Sequence, residues 1–140
     1  MKIEKIPKNS INKLESLGVG VVYLFGSQAQ GTAHFDSDID IGVVFLDPTP
    51  LFDYKKYSKI YQILFEFFSD LFRSGMRIID IVPLQIAPYS LRFEAIVPGK
   101  ILYQSSPIFR ADFEEQVIKM YFDFRPMVEM YHRATLERIK

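Results

Sequence analysis

Val19–Phe25 (VGVVYLF) is seven apolar residues without a polar break, and several of them are β-branched. A strand with one wet face alternates polar and apolar residues, whereas an unbroken run reads as a strand buried on both faces. This run therefore calls for a sheet with cover on both sides. The rest of the chain supplies the cover. Ile11, Leu14 and Leu17 share one face of a helix from Ser10 to Leu17, with Ser10 as its cap and Gly18 as its stop. A second strand is expected over Asp38–Leu46 (DIDIGVVFL), followed by a turn at Asp47–Pro50.

Tyr57, Ile60, Leu64, Phe67 or Phe68, and Leu71 recur at three- and four-residue steps, which predicts a helix over Asp53–Ser74 closed by Gly75. That aromatic stripe is expected to lie in the core. Met76–Leu84 reads as a third strand, Pro88–Val97 as a short helix and Lys100–Tyr103 as a short edge strand. Ile108–Ile139 reads as a helix broken or kinked near Pro126. The order αβ(α)βαβα(β)α predicts an α/β (α+β) fold, a small mixed β-sheet flanked by helices.

The chain has 140 residues, the size of one ordinary domain, so residues 1–140 are expected to form a single unit. With 13 Phe and 8 Tyr it can bury a core, and the aromatic excess can also supply a partner surface. The 17 basic and 17 acidic residues cancel, which argues against direct, non-specific nucleic-acid binding. There is no cysteine, so disulfides and thiolate metal sites are excluded. The first residues, MKIEKIPKNS, show no signal-peptide pattern, and no apolar run approaches the ~20 residues that span a bilayer. A soluble cytoplasmic protein with no membrane partner is the expectation.

The chemistry concentrates in Gly26–Asp40, GSQAQGTAHFDSDID. Gly26-Ser27 follows a strand and opens a short helix on this reading. Backbone N–H groups at a helix start bind phosphate, glycine admits close approach, and Ser27 adds a hydroxyl. By itself the pair reads as a plain turn. Asp38 and Asp40 alternate with Ile39 and Ile41, so both carboxylates face one way while the isoleucines face the core. Asp is disfavoured in strands and repels a like neighbour. A cation relieves that repulsion, and Mg²⁺ takes a few carboxylates together with substrate phosphates. A solvated strand entry is the plainer alternative. Asp80 sits between Ile79 and Ile81 in the third strand. If that strand lies beside the second, Asp80 joins the other two; otherwise it is an outward-facing edge residue.

Together these residues resemble the nucleotidyltransferase superfamily that shares the polymerase β palm fold. Its signature is Gly-Ser, about ten residues, then Asp-x-Asp, here Gly26-Ser27, Gln28–Ser37 and Asp38-Ile39-Asp40. Ala29, Gly31, Ser37 and Asp38 also match. The short chain and the tail ILYQSSPIFRADFEEQVIKMYFDFRP resemble the minimal nucleotidyltransferases (MNT) in particular.

The resemblance implies an antitoxin that pairs with a HEPN-domain toxin, a ribonuclease, and transfers AMP from ATP to a tyrosine hydroxyl of it. It implies that Gly26 and Ser27 hold the triphosphate. Asp38, Asp40 and Asp80 would bind two Mg²⁺ ions, and Asp80 would serve the metal that activates the acceptor. Two other readings stay open: adenylylation of a small molecule such as an antibiotic hydroxyl, and a toxin-binding antitoxin without catalysis. Assembly with a second copy is also open. Arg125 and His132 share an Arg-x₆-His spacing with HEPN ribonucleases, which is weighed as coincidence. His34 is read as a loop residue. Phe113, Val117, Tyr121 and Phe124 mark an amphipathic helix that packs on the sheet or meets a partner.

Overall fold

The structure, a computed structural model, describes residues 6–26, 38–73 and 77–139. Four strands form one sheet: β1 Val19–Phe25, β2 Ile39–Phe45, β3 Ile79–Pro83 and β4 Lys100–Gln104, in the order β3-β2-β1-β4. β1 is antiparallel to both neighbours, while β2 and β3 run parallel, so the sheet is mixed. Among the described residues, four α-helices accompany it: α1 Ile11–Ser16, α2 Tyr54–Phe72, α3 Tyr89–Ile96 and α4 Pro107–Ile139. Short 3₁₀ turns occupy Lys8–Ser10, Thr49–Phe52 and Leu84–Ile86. Among the described residues, no helix is long and apolar enough to cross a membrane.

All seven residues of β1 are buried, as the unbroken apolar run requires. Alternate residues enter two separate cores. Val22 and Leu24 join Ile39, Ile41, Val43, Ile79 and Ile81 on one face, where α1 and α2 contribute Leu14, Leu64, Phe68 and Phe72. Val21, Tyr23 and Phe25 join Val44 on the other, where α3 and α4 contribute Ala95, Ile96, Phe113 and Val117. α4 begins in direct contact with β1. A side chain at Gly20 would collide with the Phe109 ring, so glycine there lets the helix approach. The aromatic stripe of α2 is core, with Phe68 fully buried and stacked on Phe72.

The helix boundaries depart from expectation in instructive ways. Ser10 does not cap α1 with its side chain. It already has right-handed helical dihedrals, because the 3₁₀ turn Lys8–Ser10 runs straight into the helix. α2 is capped by Asp53, whose carboxylate accepts from the N–H groups of Lys55 and Lys56 at 3.1 and 3.2 Å. Its other end closes on Arg73, in the left-handed region at φ 46°; Gly75 lies outside the described residues. Of the break or kink expected near Pro126, the break does not occur: α4 is one continuous helix there. The proline leaves the Phe122 carbonyl without its helical donor. Phe122 is exposed, so water can take the place of that donor.

A side-chain network ties α4 to the sheet. The fully buried Tyr23 donates its hydroxyl to Glu114 at 2.8 Å. Arg110 holds Glu114 from the other side at 3.1 Å and donates to Gln104 of β4 at 2.6 Å. Burial first, and then the bond to Glu114, push the Tyr23 hydroxyl pKa far above its ordinary value, so Tyr23 stays a neutral donor.

Candidate active site

The strand pattern places the acidic residues. Ile39 and Ile41 point into the core against α2, so the alternation turns Asp40 to the opposite face. β3 repeats the arrangement: Ile79 and Ile81 are buried and Asp80 between them is exposed. β2 and β3 are parallel with Asp40 directly opposite Asp80. The two carboxylates therefore sit side by side on one face of the sheet, as the sequence expected if the strands were neighbours. Asp80 is also on an edge strand, so the two readings of it hold together. Asp38 is exposed and immediately precedes β2.

Gly26 closes the third side. Phe25 of β1 is opposite Asp40, so the chain leaves β1 beside that carboxylate. Gly26 has φ +70°, and a Cβ there would collide with Asp40 Oδ2. Glycine is needed twice over: for the left-handed backbone and for the room that Asp40 occupies. Ser27, His34 and the rest of the Gln28–Ser37 stretch lie outside the described residues.

Asp40 is half-buried and its carboxyl pKa is raised. Burial is the largest cause, followed by the charges of Asp80, Asp38 and Glu94. Glu94, on α3, is thus a fourth carboxylate in the electrostatic neighbourhood. On α2, the half-buried Tyr57 has its hydroxyl pKa pushed up to about 12, by burial first, then by Tyr61 and by Asp80. Glu94 was not singled out from the sequence, and Tyr57 was read only as part of the core stripe of its helix. Both sit on helices remote from the motif, and only packing brings them near.

Among the described residues, no three acidic or imidazole side chains converge into a complete cation cage. Mg²⁺ needs fewer, since it takes one or two carboxylates together with substrate phosphates and water. The donor set fits that ion: hard oxygens only, and a carboxylate pair whose mutual repulsion already disfavours the charged form of Asp40. Arg125 and His132 are exposed on α4, and Arg125 is taken up in an ion pair with Glu129 at 3.0 Å.

A mixed four-stranded sheet that carries paired aspartates beside a left-handed glycine is the frame of a nucleotidyl-transferring enzyme. Residues 4–108 match the family model described as polymerase beta, nucleotidyltransferase, and the chain belongs to that family. Over 46 residues it is 48% identical to the protein adenylyltransferase MntA of Shewanella oneidensis. That match spans 33% of this chain and 30% of the relative. A chain from a crystal structure of a toxin–antitoxin with AMP-PNP is 26% identical, with a TM-score of 0.64, covering 96% of this chain and 98% of that one. A chain from a structure of the tri-AMPylated Shewanella oneidensis HEPN toxin in complex with MNT antitoxin is 22% identical, with a TM-score of 0.56. There the likeness covers 94% of this chain and 97% of that one, and shows the shared fold.

Proposed function

We propose that this chain is an Mg²⁺-dependent protein adenylyltransferase that transfers AMP from ATP to a tyrosine hydroxyl of a HEPN-domain toxin, and so acts as its antitoxin. The observation that carries the reading is the side-by-side placement of Asp40 and Asp80 against Gly26. The family membership and the likeness to toxin–antitoxin structures, one of them with AMP-PNP, support it.

In this reading the acceptor oxygen attacks the α-phosphorus of ATP. The new O–P bond forms as the bond to the β-phosphate oxygen breaks, and pyrophosphate leaves. A tyrosine hydroxyl has a pKa of about 10 and is a poor nucleophile at neutral pH. Asp80 is exposed on the edge strand, where an acceptor protein can approach, and it receives the hydroxyl proton. Asp40 is held in place by Gly26 and its strand neighbours, and binds together with Asp38 on the nucleotide side. Bound Mg²⁺ would lower the pKa of the attacking hydroxyl and offset the charge that develops on the phosphoryl oxygens. Gly26 and Ser27 hold the triphosphate.

Intact-mass spectrometry on a mixture of this protein, ATP, Mg²⁺ and a HEPN-domain protein from the same genome tests the reading. AMP additions to the HEPN protein are expected with the wild type and not with Asp38→Asn/Asp40→Asn. Transfer retained by that variant would refute the site assignment. A complex that forms without any addition would favour inhibition by binding alone.

A further inference from the structure

The core side chains of β2 and β3 leave their register partly open. Ile39, Ile41 and Val43 of β2 and Ile79 and Ile81 of β3 line one face. Sliding β3 by one residue would turn Asp80 into that core and the isoleucines out of it, so odd slips are closed. Sliding it by two residues keeps the alternation intact. Such a slip would carry Asp80 about 6.6 Å along the sheet from Asp40, two steps of a parallel strand. The carboxylate pair would then be lost although the alternation survived. The pair itself pushes that way, since like charges directly opposite repel. What resists the push lies at the other end of the two strands.

Val43 is opposite Pro83. Two steps on, the same register would set Phe45 opposite Gln85, but the chain has by then entered the 3₁₀ turn Leu84–Ile86. The Gln85 side chain takes up the pairing that the backbone gives up. Its Oε1 accepts from the Phe45 N–H at 2.8 Å, and its Nε2 donates to the Phe45 carbonyl at 2.8 Å. A side-chain amide carries the donor and acceptor of a peptide group, so it extends the ladder by one rung. Without it, both backbone groups of Phe45 would lose these partners in a part-buried place.

Leu84 makes the fit specific to one register. It is fully buried, and a Cβ on Gly42 would come within 2.9 Å of its Cδ1. On that face of β2 the residues two steps either way are Asp40 and Val44, whose side chains would fill the space that Gly42 leaves free. α3 braces the turn from outside. Arg92 donates from Nη2 to the Gln85 carbonyl at 2.7 Å and from Nε to the Ala87 carbonyl at 2.8 Å. Its guanidinium lies 4.5 Å from the centre of the Tyr89 ring.

We infer that Gln85 is a positioning residue for the carboxylate site: with Leu84 seated over Gly42, its amide locks β3 in the register that sets Asp80 opposite Asp40. The inference rests on the proposed function for what the two carboxylates do. Gln85 acts through the length of β3, from the end of the strand away from the chemistry.

The test compares the wild type with Gln85→Met, which keeps the length of the side chain and removes the amide. The readouts are the interstrand NOEs between β2 and β3 of the isotope-labelled chain, the affinity for Mn²⁺ in the presence of α,β-methylene-ATP, and AMP transfer to a HEPN-domain protein from the same genome. The NOEs that join Ile39 to Ile79 and Ile41 to Ile81 should weaken, or be joined by a second set two residues out of step. Mn²⁺ affinity should fall about 10- to 100-fold. The kcat should fall about 100-fold, as a misplaced catalytic group implies, with a smaller change in KM for ATP. Arg92→Lys keeps the charge and loses the paired donation. It should act in the same direction to a smaller degree, and it decides the matter if Gln85→Met does not fold. A lower melting temperature with wild-type NOEs, Mn²⁺ affinity and kcat would overturn the inference, because Gln85 would then only stabilise the turn. A fall in kcat with the wild-type NOE pattern would overturn it too. If the wild type transfers no AMP, the proposed function fails, and the NOEs and the Mn²⁺ affinity still decide whether Gln85 sets the carboxylate pair.

Discussion

The two faces of the sheet are built from the same strands and do opposite work. On one, α1 and α2 press Leu14, Leu64 and Phe68 against Ile39, Ile41, Ile79 and Ile81, and the layer is dry. On the other, α3 and α4 cover Val21, Tyr23 and Val44 but leave Asp40 half-buried and Asp80 open. Adjacent residues of β2 thus belong to different regimes. Ile41 contributes stability through burial. Asp40, its immediate neighbour, is held where its charge is disfavoured. The difference teaches that the sealed face anchors the strands firmly enough to hold like charges together on the open one.

If this division is right, substitutions on the two faces separate cleanly. The largest effect is expected from Asp40→Asn: transfer should fall by at least about 10³-fold, about 4 kcal/mol of transition-state stabilisation. The melting temperature of the metal-free protein should rise, because an unfavourable charge is gone. A variant that lost stability along with activity would show that Asp40 holds the fold together. Phe68→Ala should do the reverse, costing about 3–5 kcal/mol in a denaturant titration. The folded fraction should keep its rate of AMP transfer. A specific loss of rate, with full folding verified by circular dichroism, would break the comparison.

Gly26→Ala crosses the divide, since it strains a left-handed backbone and pushes on Asp40. A stability loss of about 1–3 kcal/mol and a lower transfer rate should appear together. If stability falls and the rate per folded molecule does not, Gly26 is a turn residue only.

The smallest effect concerns pH. The Asp40 carboxyl pKa is raised in the folded state, so the folded protein holds that proton more tightly than the unfolded chain. The penalty is absent below the ordinary carboxylate pKa, grows as pH rises to the folded pKa, and is constant above it. Metal-free protein should therefore gain stability from this group as pH falls through the folded pKa, a gain that Asp40→Asn removes. Glu94→Gln should move the same transition to lower pH, because one of the charges raising the pKa is lost. A pH profile indifferent to Glu94 would place that residue outside the site.

Much of this could be read along the chain. VGVVYLF and the alternation in DIDI are local signals, because strand burial and side-chain direction follow from neighbouring residues alone. So is the α2 stripe. The acidic motif and its glycine are also local, and it is their resemblance to the family's signature that makes the family legible in the sequence. Asp80 was legible only conditionally: its own strand turned it from the core, and nothing in its surroundings chose β2 as the neighbour. Strand pairing is non-local, so the Asp40–Asp80 register was decided by the packing of the whole sheet. The same holds for Glu94, which lies on α3 and whose charge acts on Asp40. Continuity of α4 through Pro126 was likewise beyond local reading, because the penalty of a proline depends on whether the carbonyl it orphans is wet, and exposure is a property of the folded molecule.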